Sequence, residues 1–122
     1  MTPQYDIDYF IAKFTAIPEE QWCMRSFTDR QGRHCAVGHC GADSSDSWSC
    51  NEEAMALTRI CRDFLNDSPT AINDYKPVSG FSTTTPRQRI LAALHLAKTK
   101  FEAQAEAFEL RPIITKAKEV IT

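Results

Sequence analysis

Apolar residues return at spacings of three, four and seven in three stretches of the chain, a pattern that fits packed helices better than any other element. Ile7, Phe10, Ile11, Phe14 and Ile17 make the first set. Ala54, Leu57, Ile60, Cys61, Phe64 and Leu65 make the second, and Ile90, Leu94, Ala97, Phe101 and Phe108 the third. Each set lays one apolar face along a helix. The local punctuation agrees. Thr2-Pro3 can open the first helix and Pro18 ends it. Asn51 can cap the second, with Glu52 and Glu53 at the positive end of its dipole, and Asn66-Asp67 stops it. Ser68-Pro69 can start a short helix that closes at Asn73-Asp74. Thr85-Pro86-Arg87-Gln88 is the cleanest signal: Thr85 as N-cap, Pro86 in the first helical position, Gln88 completing a capping box. Pro112 ends or kinks that helix. Ile113, Ile114, Ala117, Val120 and Ile121 then make a final helix, apolar on one side.

Residues 22–28 instead alternate large apolar with smaller or polar side chains, and Asp29-Arg30-Gln31-Gly32 is a turn signal. Arg33 to Val37 can return as a second strand, so a short β-hairpin is expected near residues 22–37. Ala42 to Ser49 and Tyr75 to Thr84 read as loops. The expected fold is mainly α (small α+β): one compact domain over 1–122, with four to six helices and that hairpin. Its hydrophobic set is Phe10, Ile11, Phe14, Trp22, Leu57, Ile60, Phe64, Ile90, Leu94 and Phe101. The helix from Pro86 and the Ala54–Leu65 helix are expected to be the main packing partners.

Bulk properties exclude several classes. A chain of 122 residues that is 43% hydrophobic can build its own core. A net charge of −2 gives no field for nucleic acid. No apolar run approaches the roughly 18 residues that span a bilayer. Met1 to Asp6 lacks the basic start and apolar core of a secretion signal, which predicts a cytoplasmic protein. Five cysteines, an odd number at uneven spacing, do not make a disulfide framework. They read as thiols, and Cys61 falls on an apolar stripe as a small buried hydrophobe would.

The special chemistry concentrates between Gly32 and Gly41, which hold three of the four glycines, two of the five cysteines and two of the three histidines. Cys35, His39, Cys40 and Cys50, with His34 and Cys23 nearby, are of the type zinc takes. The spacing lacks a paired Cys-x2-Cys knuckle, so buried thiols without metal are the simpler reading, and no cofactor is expected. Cys35 or Cys40 could instead serve as a nucleophile, with His34, His39 or the remote His95 as base. Asn73 and Asp74 could read a ribose or base edge while Arg33, Arg87 and Arg89 meet phosphate. Arg87 would sit in a helix first turn, where free N–H groups favour anions. Trp48 and Phe81 are aromatics in polar loops, as partner-binding residues often are. The C-terminal stripe offers a homodimer face.

Trp22, Gly32-Arg33, Cys35-Ala36-Val37-Gly38, Asn73-Asp74 and the capped helix at Thr85 with Ile90 to Leu94 occur in an order that resembles a family of small uncharacterised bacterial and phage proteins. The resemblance covers residues 8–97. Val37 stands where that family has leucine, and His39-Cys40 lies outside its pattern. The resemblance implies a phage-type accessory or counter-defence role. Together these features favour a non-catalytic protein that binds a host protein or a small nucleotide-like, anionic ligand stoichiometrically. A Cys–His hydrolase or transferase is the alternative, and a zinc-stabilised interaction module a third.

Overall fold

Five of the six α-helices begin at a residue whose side chain takes up a free N–H group. The computed structural model describes residues 4–78 and 83–121, with side chains as far as 108 in the last stretch. Asp6 caps α1 (Ile7–Thr15) by accepting from Tyr9 N–H. Thr2-Pro3 lies outside the described residues. A single 3-10 turn, Glu19–Gln21, follows Pro18. Next come α2 (Ala36–His39) and α3 (Ser45–Ser49). Asn51 caps α4 (Glu52–Leu65), and Asn66 closes it in the left-handed conformation at φ 53°. Ser68 and Pro69 open α5 (Pro69–Asp74). Thr85 Oγ1 accepts from Gln88 N–H at the start of α6 (Pro86–Ile121), while Gln88 Oε1 accepts from Thr84 N–H at 2.9 Å. The expected helical domain is therefore present, with six α-helices and 63% helix among the described residues.

The hydrophobic core runs through Phe10, Phe14, Trp22, Val37, Leu57, Cys61, Ile90, Leu94 and Ala97. The first half of α6 is its axis, packed on α1, α5 and α4. It also meets α2, so the expected α4–α6 pairing is one of four. Trp22 lies edge-on to Phe14 at 5.3 Å and donates from its indole N–H to the Ile17 carbonyl. Ile11, Ile60 and Phe64 sit at the margin of the core.

Four expectations need correction. No hairpin forms over residues 22–37; two isolated bridges, Trp22 with His34 and Thr28 with His34, stand in its place. Arg25 turns left-handed, at φ 68°, which breaks the extension that side-chain alternation had suggested. The polar stretch before Cys50 is helical as α3, because Ser44 and Ser47 cap each other reciprocally. Phe101 is not core: it is 52% exposed, because its stripe continues after the helices that cover it have ended. The separate final helix is one with α6, which runs on through Pro112. A proline removes one helical hydrogen bond and need not stop a helix that the bonds on either side sustain.

Candidate functional site

The bend between Gly32 and Gly41 is packed rather than open. Cys35 N–H donates to the Phe27 carbonyl at 3.2 Å and the chain enters α2 immediately. Cys23, Cys35, Cys40 and Cys61 are buried, and Cys50 is exposed. Burial pushes the Cys35 thiol up, against the backbone N–H groups of Gly38 and Val37 that favour a thiolate. Burial, and then the charge of Glu53, pushes Cys40 up to about 12. Burial also pushes Cys61 up to about 12. A thiol at that value is ionised in roughly one molecule in 10^5 at neutral pH.

Among the described residues no histidine is placed within hydrogen-bonding reach of a thiol. His39 lies edge-on to Trp22 at 4.6 Å and to His34 at 5.2 Å. Its Nε2 is buried without a hydrogen-bond partner among the described residues. Burial first, and then the neighbouring His34, hold its pKa down at about 4. His34 Nδ1 is shared with Thr28 Oγ1 at 2.8 Å. His95 is on the exposed side of α6. Among the described residues no thiol is hydrogen-bonded to an imidazole, and no three His, Cys, Asp or Glu side chains gather as a metal site would require.

Burial of the His39 imidazole makes stability depend on pH. The unfolded chain takes up a proton near pH 6.5 and the folded chain only near 4. Between those values the unfolded state binds more protons, so stability falls as pH drops from 6.5 to 4 and levels off below. Urea midpoints measured across this window should show a steeper pH dependence in the wild type than in His39→Gln. Parallel curves would contradict the burial of a neutral imidazole.

The polar residues expected to hold an anion are tied to the chain itself. Arg89 is buried, and its guanidinium donates to the carbonyls of Ile72, Asn73 and Asp74 at the end of α5. Arg87 donates to the carbonyls of Thr15, the last residue of α1, and of Ile17 just beyond it, and lies 3.7 Å from Glu19. Both arginines thus satisfy helix ends that would otherwise lack donors. Arg33 is paired with Asp29 at 2.6 Å. Asn73 is wholly buried and joins α5 to α2 and to Cys23. Asp74 accepts from Arg25 N–H and from the Asn73 amide.

Trp48 is half-buried against Phe27 and donates to Thr58 Oγ1 at 2.8 Å. Phe81 lies outside the described residues.

The open chemistry is elsewhere. A cleft of about 380 Å³ lies between the start of α1, α4 and the middle of α6. Tyr5, Ile7, Ile60, Phe64 and Phe101 give it an apolar lining. Asp6, Asp8, Glu102 and Lys98 also line it, with Lys98 neutralised by Asp8 at 2.9 Å. The charge left over is acidic. Beyond the cleft, Phe108 on α6 is 70% exposed, seven residues from Phe101 and so on the same side of the helix. Sequence periodicity marked both phenylalanines as apolar-face residues, but not that the covering layer stops short of them. At 36 residues, α6 is about 54 Å long, whereas a domain of this chain length has a radius of gyration of about 14 Å.

Comparisons of the chain with models of known protein families, with curated proteins and with solved structures find no match. No described helix is long and apolar enough to cross a membrane.

Proposed function

We propose that this chain is a non-catalytic binding protein that acts by stoichiometric contact with a protein partner in the cytoplasm. The observation that carries the reading is the pair Phe101 and Phe108, exposed in line on α6 beside an apolar cleft. Large exposed aromatics in a contiguous patch are the usual anchors of a protein interface. The acidic margin of the cleft suits a partner segment that is apolar with basic flanks. A small nucleotide-like ligand is less well served, because Arg33, Arg87 and Arg89 already have partners. Thiol catalysis is disfavoured by the buried, high-pKa cysteines. The resemblance to phage proteins makes a host protein the natural partner and counter-defence the natural role.

The test is a double variant, Phe101→Ser with Phe108→Ser. Both positions are exposed, so its melting temperature should stay within about 2 °C of the wild type. Purified from its source cell, the wild type should carry one protein in equimolar amount and the variant none. A wild type that emerges alone, or a partner that survives the double change, would contradict the reading. Sedimentation of the purified chain separates a second copy from a foreign partner.

A further inference from the structure

A second cavity, of about 240 Å³, lies on another part of the surface, lined by Arg25, Ser26, Phe27, Cys35, Thr70 and Asp74. Two opposite charges share its wall without meeting. The Arg25 guanidinium has no hydrogen bond or carboxylate partner among the described residues. Asp74 uses only Oδ1 internally, accepting there from Arg25 N–H at 3.1 Å and from Asn73 Nδ2 at 2.9 Å. Its other oxygen has no partner among the described residues.

The φ of Arg25, 68°, is left-handed, a conformation that glycine adopts freely and a long side chain adopts at a steric cost. The turn itself needs only an N–H there, to meet Asp74. Strained backbone conformations gather where a side chain is wanted for a ligand. An arginine at such a position, with its guanidinium unspent among the described residues, points to a group outside the chain.

We propose that this cavity binds a small zwitterion with an α-amino-acid head group. Its carboxylate meets the Arg25 fork, which matches a carboxylate's two oxygens. Its ammonium meets the free oxygen of Asp74. A short side chain would then lie against Phe27 and the un-ionised Cys35 thiol. This site is separate from the α6 cleft and does not depend on the protein-partner reading.

The probes are the L-α-amino acids, tested singly up to roughly 10 mM by calorimetry and by amide shifts in an isotope-labelled sample. Acetate and ethylammonium serve as single-charge controls. At least one small amino acid should bind saturably, shifting the amides of residues 25–27, 35 and 70–74, and neither control should match it. Two variants leave the fold intact. Arg25→Gly relieves the backbone strain, so it should melt no lower than wild type yet bind at least about tenfold more weakly. Asp74→Asn keeps the oxygen that Arg25 N–H needs and should weaken binding similarly. The proposal is overturned if no amino acid binds, if acetate binds equally well, or if Arg25→Gly binds undiminished.

Discussion

Gly38→Ala is expected to lower stability by about 3 kcal/mol and the melting temperature by roughly 10 °C. A Cβ at this position would stand 2.1 Å from the Phe27 carbonyl oxygen and 3.1 Å from His34 Cβ. The obstacle is backbone, so no side-chain rotation relieves it. Moving the Phe27 carbonyl away would also strip the Cys35 N–H of its acceptor. Overpacking of this kind usually costs about 1–3 kcal/mol, and the closeness here puts Gly38 at the upper end. Gly32 is the control. It has φ 78° but nothing within 4 Å of an added Cβ, so Gly32→Ala should cost only about 1 kcal/mol in conformational strain. Thermal melts of the two variants check the ranking. Equal losses would mean that α2 and the Phe27 loop are not in contact as described.

Asn73→Leu should be comparably damaging, by about 3 kcal/mol. Asn73 Oδ1 accepts from Ala36 N–H at 3.1 Å, and Nδ2 donates to the Cys23 carbonyl at 2.9 Å. Leucine fills the space but leaves a buried donor and a buried acceptor unpaired, at about 1–3 kcal/mol each. Asn73→Asp keeps the acceptor, loses the donor and sets a second carboxylate beside Asp74. At neutral pH it should be no better than leucine, and it should recover partly in acid. The urea midpoint should fall in both variants with the slope unchanged. A midpoint near the wild-type value would show that Asn73 does not bridge α5 to the bend.

Sequence revealed what local chemistry decides. Asn51, Ser68-Pro69 and Thr85-Pro86 signal helix starts through side chains and φ limits that act within a single turn, and the structure has helices there. Residues 22–37 misled because strand-like alternation carries no information about the one residue, Arg25, that turns left-handed. The Ser44–Ser47 cap was missed because the more familiar signal has Glu or Gln at its fourth position. Arg87 and Arg89 read as residues that could meet phosphate, but their partners are carbonyls from α5 and from the end of α1, about 70 residues away in the latter case. Only the fold brings those groups together. Phe101 and Phe108 keep the helical rhythm of the core, and rhythm does not say where a covering layer ends.

The cysteine-rich bend is packed as core, and the function proposed for the chain is binding. A time course of thiol alkylation on the native protein, resolved by peptide mass, tests that packing most directly. Cys50 should be modified first, at the rate of an ordinary exposed thiol. Cys35, Cys40 and Cys61 should react only as fast as the protein opens. If Cys35 or Cys40 is instead alkylated ahead of Cys50 in the folded protein, the bend is an activated centre and this account is wrong.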